Sequence, residues 1–370
     1  MAKLGLVARF LRWFNNFFWP GDYDRDSAKA SYKAYVDSKD VASLDTAIAN
    51  FQLAIDQYRK HKSPSLVTSL INCAVAVWRH YEDCGRPPKD LDMVIRLDTE
   101  ARDSWSDDKN SKSYAFLLNA LATAYSERYQ RAFGASPVNP DEKKVAFEEA
   151  IKSYTELKDH PAAGSMRSAA KTGLGIILRM RCEFEQTLDR LEVGVQQLQD
   201  ALLEATEAGE WTNAGAESDI IDDIKATCLF NLAALYSIRY ELMKDSKKIH
   251  DLNIAIDYNT RAKPLLEGLR RPELLHCMFN LARQLWLRWR QTRDQNDYDA
   301  AKQMAEAVKC HQALDKSLEP VIDHILSVLA PSHSLQNRID DLLLPSRRQS
   351  SVVSNDGSSR RTEGDTIICS

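Results

Sequence analysis

Imidazole and thiol stand side by side at His276-Cys277 in the 370-residue chain. A nucleophilic cysteine needs a base within hydrogen-bond reach. Adjacent helical residues point about 100° apart, so this pair suits a helical histidine beside a buried thiol better than a catalytic couple. The remaining histidines, His61, His80, His160, His250, His311, His324 and His333, are scattered. No two stand four residues apart, and none joins cysteines and carboxylates at metal-ligand spacing. The adjacent carboxylates Glu148-Glu149 and Asp222-Asp223 fall on helical stretches and read as solvated. A phosphate-cradling G-x-x-x-x-G-K-[ST] run is absent from the sequence. The expectation is a protein with no catalytic residue, no metal site and no cofactor.

What recurs is a packing pattern. Leu70-Ile71-Asn72-Cys73-Ala74, followed by Trp78 and Tyr81, returns as Leu117-Leu118-Asn119-Ala120 with Tyr125 and Tyr129. It returns again as Leu229-Phe230-Asn231-Leu232-Ala233 with Tyr236 and Tyr240, and as Met278-Phe279-Asn280-Leu281-Ala282 with Trp286 and Trp289. A weaker copy, Gly173-Leu174-Gly175, stands between. The marked positions lie 47, 54, 58 and 49 residues apart, a period that belongs to stacked helix pairs. A second half-unit repeats as Ala47-Ile48 with Ala54, Val94-Ile95 with Ala101, Ala150-Ile151 with Leu157, Gly194-Val195 with Ala201, Ala255-Ile256 with Ala262, and Ala300-Ala301 with Ala307. Small residues two turns apart let neighbouring helices approach closely. Breakers such as Ser63-Pro64, Gly85-Arg86-Pro87-Pro88 and Arg271-Pro272 separate the runs. The fold class predicted is all-α: a solenoid of about five helix pairs over residues 44–313. A leader helix from about Ser27 to Val36 lies within residues 22–43, capping helices occupy 314–344, and a disordered tail fills 345–370.

Composition agrees. Charged residues make up 28% of the chain, with 49 basic against 53 acidic side chains and a net charge of −4, so nothing draws the whole molecule to nucleic acid. The seven cysteines include no C-x-x-C pair; Cys73, Cys228 and Cys277 sit beside the repeated Asn and read as buried thiols of a reducing compartment.

Asn231-Leu232-Ala233 with Tyr236, leading into Ala255-Ile256 and Ala262, resembles helices A and B of the tetratricopeptide repeat. The longer period and the tract Arg239-Tyr240-Glu241 to Asp251-Leu252 are similar to degenerate arrays of that repeat in fungal signalling proteins. The resemblance implies a right-handed solenoid whose A helices line a concave groove. Positions one before, three after and six after the Asn would then face a partner. They are Ile71, Val75 and Trp78; Leu118, Ala122 and Tyr125; Thr172, Ile176 and Arg179; Phe230, Ala234 and Ser237; and Phe279, Arg283 and Trp286. The lining is apolar and aromatic with Arg179 and Arg283 as its cations, which suits an apolar or amphipathic helical peptide better than an acidic tail. Burial of these residues in the core between repeats is the alternative. Asn72, Asn119, Asn231 and Asn280 would bridge adjacent helices or hold a ligand backbone. The period departs from the family's 34 residues, and Gly173 replaces the Asn in the middle copy.

Two terminal segments carry further expectations. In residues 1–21 the side chains of Phe10, Trp13, Phe14, Phe17 and Phe18 share one helical half with Leu4, Leu6, Val7 and Leu11, opposite Arg9 and Arg12. Such a helix docks on the protein itself or on a membrane interface; it lacks the serines of a mitochondrial presequence. In the tail, Arg347-Arg348-Gln349-Ser350 and Arg360-Arg361-Thr362 look like basophilic kinase sites at Ser350 and Thr362. The combined expectation is a cytoplasmic, non-enzymatic scaffold that recruits a protein or peptide, with a peripheral membrane effector as the alternative.

Overall fold

The computed structural model describes residues 21–106, 108–134, 139–164, 166–211, 216–243 and 248–310, with 323, 326 and 327. The expectations for residues 1–20, for most of 314–344, and for Ser350 and Thr362 in the tail fall outside these residues. Among the described residues all regular structure is helical, in twelve helices. These are α1 (Asp22–Ser38), α2 (Val41–His61), α3 (Ser65–Asp83), α4 (Pro88–Asp103), α5 (Lys112–Gly134) and α6 (Pro140–Asp159), then α7 (Met166–Glu185), α8 (Leu191–Trp211), α9 (Ala216–Leu242), α10 (Lys248–Gly268), α11 (Glu273–Thr292) and α12 (Gln295–Lys309). Helices α1 to α6 belong to one compact unit and α7 to α12 to a second. Each unit is three consecutive helix pairs, and three is the number at which stacked pairs begin to bury a continuous core.

The helices start and stop where local chemistry dictates. Asp40 caps α2 by accepting from the backbone N–H of Ala42 and Ser43, and Asn139 and Asp294 do the same for α6 and α12. At the other ends the chain turns through left-handed residues, Lys39, Lys62, Arg86, Gln186, Arg270 and Arg293, where glycine is the common choice. A basic side chain there sits at the negative end of the helix dipole, which offsets part of the backbone strain. Helix α1 is longer than its sequence expectation. Asp22 and Asp24 favour its N-terminus, and the Tyr58 hydroxyl of α2 donates to Asp22 at 2.6 Å. Gly21 permits this start: at φ 86° it lies against the Tyr58 ring, where a Cβ would stand 2.7 Å from Cε1.

Within the pairs, the small-residue slots pack as expected at Ala47, Ala54, Val94, Ala101, Ala150, Leu157, Ala201, Ala255 and Ala262, all buried. The last pair shifts by one residue: Ala301, Ala305 and Val308 are buried, whereas Ala307 is exposed and Ala300 half-buried. One residue along a helix is a 100° turn, so the buried stripe is set by Leu275, Phe279 and Trp286 on α11, which α12 must cover. The middle copy of the repeat uses Gly175 for a different purpose than the Asn copies. A Cβ there would lie 2.3 Å from Cγ of Leu198, so its absence lets α8 lie directly on α7.

Candidate interaction face

The first helix of each pair carries the residues that the sequence nominates. In the first unit, Asn72, Ile71, Leu118, Ala122 and Tyr125 are buried, and Val75, Trp78 and Asn119 are half-buried. In the second, Thr172, Ile176, Phe230, Asn231, Phe279 and Trp286 are buried, and Arg179, Ala234, Ser237, Asn280 and Arg283 are half-buried. The large apolar members of the nominated lining therefore serve the cores. Trp286, at 1% exposure, lies within the cluster of Leu275, Phe279, Leu285 and Ala301.

What remains at the surface of these helices is a mixed stripe. On α3 it holds Thr68, Val75, Trp78, Arg79 and Glu82; on α5 it holds Phe116, Asn119, Thr123, Ser126 and Gln130. Trp78 is held by its own helix, its Nε1–H donating to Glu82 at 2.8 Å while the ring stacks 5.3 Å from Tyr81. On α9 the stripe is Thr227, Ala234, Ser237, Ile238 and Glu241, and on α11 it is His276, Asn280, Arg283, Leu287 and Arg290. The two helices are sewn together along it: Arg283 pairs with Glu241, Gln284 Nε2 donates to Ser237 Oγ at 2.7 Å, and Gln291 Nε2 donates to the Tyr240 hydroxyl at 2.6 Å. Asn259 of α10 joins this line from beneath, donating to Gln284 Oε1 at 3.0 Å. In the first unit, equivalent bonds run from Tyr35 to Asp83 and from Tyr81 to Glu127, the latter at 2.6 Å. Arg131 lies over the Tyr81 ring at 4.8 Å.

The repeated Asn does not act uniformly. Asn231 Nδ2 donates to the Thr227 carbonyl, one turn back in its own helix, at 2.8 Å. Asn72 is 3% exposed with neither amide atom paired.

A device that sequence reading did not single out fastens the two helices of three pairs. Arg239 of α9 makes two bonds to Asp251 in the first turn of α10, at 2.9 and 2.6 Å. Arg288 of α11 does the same to Asp297 of α12, at 2.7 and 2.6 Å. His80 of α3 meets Asp90 of α4 at 2.6 Å in the same slot. All three aspartates are buried, so each needs a donor. The signal was present: a cation eight residues after the repeat Asn and an aspartate in the next helix's first turn.

At His276-Cys277 the thiol is not an activated one. Cys277 is fully buried, and its thiol donates to the Asn259 carbonyl at 3.4 Å. Burial pushes that thiol up to about 12, where the thiolate needed for attack is scarce at neutral pH. Cys73 and Cys228 are likewise raised to about 12, mainly by burial.

No protein-family model matches the chain, and no curated protein matches it. Among solved structures it is similar to a circular tandem repeat protein with novel repeat topology and enhanced subunit contact surfaces. The identity is 14%, the TM-score 0.35, and the match covers 87% of this chain and 80% of that one. Among the described residues no helix is long and apolar enough to cross a membrane.

Proposed function

We propose that this chain is a non-enzymatic interaction scaffold, built from repeats of degenerate tetratricopeptide type, that takes a protein or peptide along the mixed stripes of its first helices. The observation that carries this reading is the division of labour on those helices. Tyr125, Phe230, Phe279 and Trp286 go into the core, and Val75, Trp78, Phe116, Ile238 and Leu287 stay part-exposed among hydroxyl, amide and guanidinium groups. Within each unit, apolar points spaced by helical turns among hydrogen-bonding groups suit an amphipathic helix laid on that unit's stripe. Affinity purification of the full chain with mass-spectrometric identification tests the proposal. A stripe variant, Trp78→Asp with Leu287→Asp, should retain its circular dichroism and lose the partner. Equal recovery by the variant would reject the stripes as the binding face.

The amphipathic pattern of residues 1–20, with nine large apolar side chains opposite Arg9 and Arg12, favours a second reading, a peripheral membrane effector. Co-sedimentation with anionic liposomes separates the two. Loss of sedimentation on deleting residues 2–20 supports the membrane reading, and unchanged partitioning rejects it.

A further inference from the structure

Of the three helix-to-helix clasps, two use a guanidinium, which is charged at every pH the protein meets, and one uses an imidazole. We propose that His80 makes the clasp of the α3–α4 pair proton-gated: closed when the imidazole is protonated, loosened when it is neutral. The geometry is that of a ring held between two carboxylates. Nδ1 lies 2.6 Å from Asp90 Oδ2 on α4, and Nε2 lies 3.3 Å from Asp45 Oδ1 on α2. An imidazolium donates from both nitrogens and satisfies both acids, tying three helices together. A neutral ring has one N–H. It can serve Asp90 while presenting a lone pair to Asp45, or serve Asp45 and leave the buried Asp90 without its donor.

Asp45 faces the ring from α2 and Asp90 from α4; Asp83 and Cys84 lie at the end of its own helix, with Lys89 in the first turn of α4. Asp83 is itself engaged by the Tyr35 hydroxyl of α1. Asp45 and Asp90 are thus the carboxylates in contact with the ring nitrogens, and an imidazole is the side chain type that gains or loses a proton between mildly acidic and neutral pH. In the second unit the same slot offers no such group, since Arg239 and Arg288 hold Asp251 and Asp297 permanently.

Amide hydrogen exchange of the full chain, corrected for the intrinsic pH dependence of exchange, tests this at about pH 5.5 and about pH 7.5. Peptides spanning residues 65–103 should lose protection roughly threefold to tenfold at the higher pH in the wild type. In His80→Arg they should hold their protection at both pH values, because arginine occupies this slot in two other pairs. Peptides from 281–309, which carry the Arg288 clasp and no histidine, serve as the internal control and should not change. His80→Gln should match the neutral wild type at both pH values. An equal pH response in the wild type and in His80→Arg would overturn the proposal, and so would a wild type with no response. The arginine variant alone decides the matter should the glutamine variant fail to fold.

Discussion

Cys84 and Cys310 are exposed, whereas Cys73, Cys182, Cys228 and Cys277 are buried. Burial holds Cys73, Cys228 and Cys277 at about 12 and Cys182 at about 11. Alkylation with iodoacetamide near pH 8, followed by peptide mapping, should modify Cys84 and Cys310 first, with the buried four at least about 100-fold slower until the chain unfolds. The Cys84 thiol is raised by desolvation and by Asp45, Asp83 and Asp90, so it should react more slowly than a free cysteine thiol at the same pH. Uniform labelling of all thiols would contradict this packing. Asn72 is the other residue whose environment makes a sharp statement. Its amide is buried with both atoms unpaired, so the folded chain carries their lost hydration without return. Asn72→Leu, similar in volume, should raise the free energy of unfolding by about 1–2 kcal/mol in urea titration. A loss of stability would mean that the amide is served by ordered water.

Single positions also decide how helices meet. Gly175→Ala places a methyl 2.3 Å from Leu198 Cγ, forcing α7 and α8 apart at a cost of about 1–3 kcal/mol. Gly194→Ala should cost less, since its nearest neighbour, Leu178 Cβ, is 3.3 Å away. The reverse ordering of the two melting temperatures would sink this account of the α7–α8 contact. For the clasps, Arg239→Met leaves the Asp251 side chain, 7% exposed, without its two bonds. Because Arg239 keeps some water, the expected loss is about 2–3 kcal/mol, below that of a fully buried pair. The double variant Arg239→Met with Asp251→Leu should recover much of it, as a matched apolar pair often does. No recovery would show that the guanidinium also matters through its contact with Glu192, at 2.6 Å, or its stack on Tyr236.

At the scale of the molecule, burial of the thiols couples stability to alkaline pH. Their folded values, about 12, lie above the roughly 8.5 of an unfolded thiol. The unfolded chain therefore releases protons first as pH rises, and stability that is whole below about 8.5 is lost above it. Three such groups remove about 4 kcal/mol in total between about pH 8 and 9.5. Urea unfolding at the two pH values measures it, and replacing Cys73, Cys228 and Cys277 by alanine should flatten the slope. An equally steep slope in that variant would assign the effect to other groups, the Cys182 thiol first, which burial raises to about 11.

The helix pairs were legible in the residues because a helix repeats its environment every three to four positions, and Asn, small-residue and aromatic slots recur with that period. The all-helical class, the consecutive pairing and most of the small-residue contacts follow from this one-dimensional pattern. The slip at Ala300 and Ala307 shows its limit. Neighbouring alanines are interchangeable as letters, and only the stripe presented by Leu275, Phe279 and Trp286 picks Ala301. The same limit governs the nominated groove. Periodicity puts Trp78 and Trp286 in the same slot, but packing buries Trp286 to 1% and leaves Trp78 half-exposed, because burial depends on which neighbours arrive from other pairs.

Local order in the amino acids was thus enough to determine an all-helical chain of rods laid in consecutive pairs, though it read about five pairs and set the first rod apart as a leader, since helix propensity, caps and apolar spacing act within a few turns. Tertiary structure alone decided which side chains face out. It also decided that Arg239, Arg288 and His80 find aspartates nine to twelve residues on, and that Tyr81 reaches Glu127 and Gln291 reaches Tyr240 across 46 and 51 residues. Those partnerships depend on the angle and depth at which helices pack, and packing is a sum over contacts from distant parts of the chain.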